Sequence, residues 1–212
     1  EYEKELEIYN NWGIPPRWEN PYTGLGEAYH KSGMYKNEKK LYRKAEKYFP
    51  DSPSLIRRQA ILALSVNKTK KANEYLEKYI SDRKARSASE VNIAYNLALI
   101  YSEANLFDKA EEYYRKALSL RPDNLSSLNT LAYFLIDKER NVDEGLDLIE
   151  KAFNLGLDEF YYADAKGLGL YKLGKYQEAL EFFQRSWDTK PGYYHNGYLH
   201  LEAAKKAVAG MK

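Results

Sequence analysis

The chain has 212 residues, 44% hydrophobic and 15% aromatic, which is ample material for a packed core despite a mean hydropathy of −0.72. Its 33 Lys and Arg against 31 Asp and Glu leave a net charge of +2 spread along the chain, without the concentrated basic face of a nucleic-acid binder. The absence of Cys excludes a disulfide frame, a thiolate metal site and a Cys nucleophile, and leaves cytoplasmic and periplasmic settings equally open. No apolar run reaches the ~20 residues a membrane helix needs.

From the start, "YEKELEIYNNWGIPP" (2–16) predicts a helix ended by Gly13 and a Pro pair. "LGEAY" (25–29) predicts the next helix, and "KNEKKLYRKAEK" (36–47) a further one whose Glu/Lys spacing marks a solvated face. "QAILA" (59–63) belongs to a fourth. "SDRKARSASE" (81–90) is polar and predicts a long turn, with a hinge as the other reading; Ser87 and Glu90 fit a capping box that restarts a helix there. "LALIY" (97–101), "LAYFL" (131–135) and "KGLGL" (166–170) resemble "LGEAY" in their order of residues. "NLFDKAEEYYRKALSLRP" (105–122) and "YKLGKYQEALEFFQRSWDTKP" (171–191) share aromatic, Ala, aromatic four on, small residue three on, and a closing Pro. The last stretch, "GYYHNGYLHLEAAKKAVAG" (192–210), predicts one more helix with Leu199, Leu201, Ala204 and Val208 turned inward and Lys205 and Lys206 facing water.

Those shared orders define a period. Glu38, Ala72, Ala110, Gly145 and Ala179 are spaced by 34, 38, 35 and 34 residues. Tyr42, Leu76, Tyr114, Ile149 and Phe183 follow four residues later at the same intervals, and Ala45, Tyr79, Ala117, Ala152 and Ser186 three later again. Pro50 to Pro122 is 72 and Pro122 to Pro191 is 69, so one insertion of four residues and one of a single residue are recovered independently. A small residue also recurs in the first helices, at Gly26, Ala60, Ala98, Ala132 and Gly167, where it lets the second helix approach. Glu38 departs from the small-residue rule, so the first unit is expected to be looser; the aromatics Tyr42, Tyr114 and Phe183 are expected to fill the space between units. Pro50, Pro122 and Pro191 are expected to stop the second helices.

Over residues 19 to 193 this pattern resembles the tetratricopeptide repeat (TPR) family, with five units at 19–52, 53–86, 91–124, 125–159 and 160–193. The resemblance implies an all-α fold, a right-handed superhelical α-solenoid of stacked antiparallel helix pairs. Pro16 precedes Pro50 by 34, so residues 1–18 are expected to be the second helix of a truncated upstream repeat, with an N-terminal cap as the alternative; residues 194–212 are expected to be a C-terminal capping helix. A chain that begins at Glu1 rather than Met is then expected to be the tail of a longer protein.

Catalytic signatures do not emerge. His195 and His200 are five apart, off one helical face, and no HExxH is present, so no metal site is expected. The glycines of "GLGLYKLG" (167–174) lack the preceding strand of a phosphate loop, the carboxylates alternate with Lys and Arg, and no Ser sits in a nucleophile elbow. The expectation is a non-enzymatic module without cofactors.

What the resemblance implies for binding is a concave groove lined by first helices. Carried over by slot, its residues are Arg57, Asn92, Tyr95, Asn96, Asn129, Tyr133, Asp164 and Tyr171, with Thr23, Glu27, His30, Ile61, Leu99 and Leu168 beside them. Asn amides can pair with an extended peptide backbone, and Tyr offers flat contact area at low entropy cost. The Lys/Asn/Lys/Arg carboxylate clamp found in some members is incomplete, because Thr23 and Glu27 stand at its first slots. The implied partner is a protein or peptide segment, with homo-oligomerisation as a second mode, and with neither nucleic acid nor a membrane in this segment. In a different class, "NWGIPP", "FLIDKERNVDEGL" and "DAKGLGLYKLGKY" resemble C-terminal arrays of larger bacterial signalling or regulatory proteins, such as cyclases or transcription regulators, where the array mediates self-association or senses a signal. Helical-repeat RNA binding ranks last, since the Glu27, Asp164 and Asn slots do not make a basic face.

Overall fold

The computed structural model describes residues 1–12 and 15–211, without the side chains of Asn10 and Trp12, so the Gly13 stop expected for the first helix lies outside the described residues. Among the described residues the regular structure is helical throughout: α1 (Tyr2–Trp12), α2 (Asn20–Lys31), α3 (Tyr35–Glu46), α4 (Pro53–Ser65), α5 (Thr69–Ala85), α6 (Glu90–Glu103), α7 (Phe107–Leu120), α8 (Leu125–Asp137), α9 (Val142–Asn154), α10 (Glu159–Lys172), α11 (Tyr176–Thr189) and α12 (His195–Ala209). They divide into two compact units, Glu1–Ala110 and Glu111–Lys212, with the boundary inside α7.

The turn within each helix pair has a single recurring design. Gly33, Asn67, Asn105, Glu139 and Gly174 all have positive φ, between 51° and 77°. The next residue's N–H then reaches back five positions, from Met34 to Tyr29, Lys68 to Ala63, Leu106 to Tyr101, Arg140 to Leu135 and Lys175 to Leu170, at 2.8 to 2.9 Å. This is the Schellman ending, in which a left-handed residue lets an orphan carbonyl be satisfied. Gly and Asn occupy that conformation at little cost, whereas Glu139 bears a Cβ penalty. The one-residue insertion sits just after it: Asn141 also points its N–H at the Leu135 carbonyl, then caps α9 by accepting from the Glu144 N–H.

Entry into the first helices is equally local. The side chains of Ser52, Ser89 and Asn124 accept from Leu55, Asn92 and Ser127 N–H to cap α4, α6 and α8. Ser89, not Ser87, is therefore the cap of α6; Ser87 has φ 58° and ends α5 instead. The four extra residues did not become a long turn. They extend α5 to 17 residues, because the Lys, Arg and Ala of that stretch are good helix formers and Arg86 pairs with Asp82.

In the first unit α1 packs on α2, α2 on α3, α3 on α4, and α4 on α2, α5 and α6. Tyr22, Leu41, Tyr42, Ala45, Leu55 and Leu62 form its core, with Leu6 of α1 added. Gly26 is required here: a Cβ on it would lie 2.3 Å from the Tyr42 ring. Tyr42 therefore fills space within its own helix pair as well as against α4. Glu38 is 1% exposed, and its carboxylate meets His30 Nδ1 at 3.0 Å, so the oversized slot is filled by a buried ion-pair partner rather than left loose.

In the second unit α8 packs on α9, α10 on α8, α9 and α11, and α12 on α10 and α11. Leu128, Ala132, Ile149, Ala152 and Ala165 form one core cluster; Ile136, Leu168, Ala179, Phe183, Leu201 and Ala204 form a second. Gly167 again admits the ring four residues past the small slot, since its Cβ would come within 2.8 Å of Phe183. On α12 the inward face is Gly197, His200, Leu201 and Ala204; Leu199, expected inside, is 49% exposed. Lys78 and Lys151 each bridge back to a Pro-Asp turn, Pro50–Asp51 and Pro122–Asp123 respectively, donating to the Pro carbonyl at 3.0 and 3.1 Å.

Candidate functional site

In the first unit, α2 and α4 lie side by side and leave a cavity of about 320 Å³, lined by Asn20, Thr23 and Glu27 of α2, Arg57 and Arg58 of α4, and Tyr2 of α1. Its charges are organised. Arg57 pairs with Glu103 at the end of α6, and Arg58 pairs with Glu27 and, at 2.7 Å, with the other oxygen of Glu103. The Arg57 and Arg58 side chains are 20% and 15% exposed, so both are held with few rotamers left while still reaching the cavity. Glu27 also receives Lys31, and that bond, followed by Arg58, holds its carboxyl below the usual carboxylate range. Two cations shared between two carboxylates form a preset polar surface suited to a ligand with both donors and acceptors.

Arg57, Thr23 and Glu27, all predicted for the groove, thus meet at this cavity. Asn92 and Asn96 lie together on α6, but the Asn96 amide donates to the Asn92 carbonyl at 2.7 Å and so is partly committed to its own helix. Tyr95 is half-buried on the same helix.

In the second unit the predicted residues are drawn inward. Asp164 is 4% exposed; it accepts from Tyr194 Oη at 3.1 Å and meets His200 Nδ1 at 3.0 Å. Tyr133 lies against the same pair, and burial, with Asp164 next, pushes its phenol far above its ordinary range. Tyr133, Asp164, Tyr194 and His200 therefore make one polar cluster that seats α12. Tyr171 packs on Tyr176 with ring centroids 5.1 Å apart, at the end of the α10–α11 pair, while Asn129 stays half-exposed on α8. Among the described residues no group of three or more His, Cys, Asp or Glu is placed to hold a metal ion.

Residues 20–52 and 91–124 each match a tetratricopeptide repeat model. The chain carries tetratricopeptide repeats over these stretches. It is 27% identical over 104 residues to the TPR repeat-containing protein PA4667 of Pseudomonas aeruginosa, covering 49% of this chain and 18% of that protein. It is 33% identical over 86 residues to the TPR repeat-containing protein MJ1428 of Methanocaldococcus jannaschii, covering 41% of this chain and 15% of the relative. The chain thus spans less than a fifth of the length of these relatives. Among solved structures, YrrB, a TPR protein with an unusual peptide-binding site, aligns over 95% of this chain and 97% of its own, with 16% identity and a TM-score of 0.49.

Within this TPR chain, Arg58, Glu103, Tyr194 and His200 were missed as site residues. Arg58 had a signal: Ser54 precedes it by four and lines the same cavity, so both share one face of α4. Glu103 had none, because it acts across two helices.

Proposed function

We propose that the chain is a non-enzymatic interaction scaffold of five TPR units that takes a peptide or protein segment on its first-helix side. The observation carrying this reading is the cavity between α2 and α4 with its two guanidinium groups fixed by Glu27 and Glu103. The two repeat matches support it, since stacked helix pairs of this kind leave a first-helix face free to take a ligand. Thr23, Asn92 and Asn96 add amide and hydroxyl groups along that face in the first unit, and Asn129 does so in the second. Because Asp164 and Tyr133 are engaged by α12, the reading places ligand contacts on Arg57, Arg58, Asn92 and Asn96 before them.

Site-specific photo-crosslinking tests this. A photoreactive residue at Thr23 or Asn96 is expected to trap a partner from the source cell, and one at Glu181 on α11 is not. Arg57→Glu with Arg58→Glu should abolish the adducts while helicity is retained. Equal adducts from Thr23, Asn96 and Glu181 would sink the first-helix reading, and adducts of the chain with itself alone would replace it by self-association.

A further inference from the structure

A second recess lies on the opposite helices of the first unit, and it has the build of a binding site. Leu62 and Val66 at the end of α4, with the Tyr75 ring from α5, form an apolar floor beneath a cavity of about 300 Å³. Two pairs of cations border it: Lys39 and Arg43, one turn apart on α3, and Lys68 and Lys71 at the start of α5. All four are exposed, and among the described residues none forms an ion pair with a carboxylate of the chain. Glu46 is the single carboxylate on the rim. On other second helices Lys78, Arg115, Lys151 and Arg185 each pair with a carboxylate, so four neighbouring cations without one are a local concentration in a nearly neutral chain.

The floor carries two further polar groups. Gln59 is 7% exposed and turns its side chain to the recess, and the buried Tyr42 Oη beside it has no hydrogen-bond partner among the described residues. An amide lining the recess can pair with one donor and one acceptor brought by a ligand, which is what a peptide backbone offers.

We propose that this recess docks an acidic segment of a partner protein through one apolar anchor side chain. The recess has the volume for a single large aliphatic or aromatic group, which the Leu62–Val66–Tyr75 floor would desolvate. Carboxylates on either side of the anchor would meet the α3 pair and the α5 pair. One compact anion could not satisfy cations on both sides of the floor, whereas a chain with acids flanking an apolar residue can. A flat anionic membrane does not enter a recess of this shape. This site is separate from the α2–α4 cavity, so the chain would hold two partner segments, or two parts of one partner, on different faces.

The test uses fluorescein-labelled nonapeptides with a central Trp, Phe or Leu between Asp/Glu triplets, read by fluorescence anisotropy against the whole chain. At least one is expected to bind saturably below about 1 mM. Lys39→Glu with Lys71→Glu, two exposed positions outside the core, should weaken it about tenfold or more, and Ser in place of the anchor should do the same. Arg57→Glu with Arg58→Glu should leave it unchanged. The proposal is overturned if no acidic peptide saturates, if the charge-reversed chain binds as well, or if the Ser peptides bind equally and show only diffuse charge attraction. Transfer of the loss to the Arg57/Arg58 variant would assign the peptide to the other cavity and equally overturn it.

Discussion

His30→Ala is the most informative single change. Glu38 occupies the slot that is Ala or Gly in the other repeats, is 1% exposed, and has its carboxylate oxygens 3.0 and 3.2 Å from His30 Nδ1. His30 is itself braced by Ser65, whose Oγ lies 3.4 Å from Nε2. Removing the imidazole strands a carboxylate inside the first helix pair. Breaking a buried pair from one side costs about 3–5 kcal/mol. Glu38→Ala should cost less, because the remaining imidazole can stay neutral, and Ala is what α5 and α11 use at Ala72 and Ala179. The double variant should recover much of the loss, with a coupling of about 1–3 kcal/mol. The bond to Glu38 raises the His30 pKa above 6.5 against the opposing effect of burial. A raised folded-state value means the pair's stabilisation is complete below the unfolded value of 6.5 and fades as pH rises through the folded value. Urea unfolding followed at 222 nm, at pH 6 and at pH 9, reads both effects. The stability gap between the parent and Glu38→Ala should narrow at the higher pH. A loss under about 1 kcal/mol for His30→Ala, or strict additivity in the double variant, would refute the buried-pair account.

Three further outcomes follow from the backbone and packing. Gly33→Ala should cost about 1 kcal/mol through its φ of 69° alone, since a Cβ there meets nothing within 4 Å, and Gly33→Asn should be close to neutral because Asn67 and Asn105 hold the same turn; chemical denaturation of the three proteins checks this. Gly26→Ala should cost about 1–3 kcal/mol by driving a methyl into the Tyr42 ring, and Tyr42→Leu should recover part of it, as Ala60 and Leu76 coexist at these slots in the next pair. Asp164→Ala should free α12, raising amide hydrogen exchange across His195–Ala209 while α8 keeps its protection; unchanged exchange in α12 would show that Leu201 and Ala204 alone seat it.

The helix pairs were legible because their signals are local and repeat. Small residues at Gly26 and Gly167 and prolines after the second helices each act within a few residues, so period and structure agree. The left-handed turn residue was harder to see, because Gly, Asn and Glu share no side-chain chemistry and are united only by a backbone dihedral. The insertion after α5 was visible as extra length, but whether it lengthens a helix or a loop is decided by propensity and by the Arg86–Asp82 pair. Glu38 was read as a defect because one partner, His30, stands eight residues away on the facing helix, beyond any helical periodicity.

The groove residues are a different case, and the reason is general to repeat arrays. A slot assigned by period says which face of its own helix a residue occupies; it carries no information about what covers that face. For Arg57 the neighbours are first helices, and the slot remains a surface with an ion-paired guanidinium at a cavity. For Asp164 the neighbour is α12, and the same slot becomes the seat of Tyr194 and His200. An acidic residue at a terminal groove slot, followed some thirty residues later by Tyr and His in a final helix, is therefore a docking signal for that helix before it is a ligand contact. Contacts of the last first-helix should be assigned only after the final helix has been placed, and by that rule the proposed ligand contacts of this chain centre on the first unit.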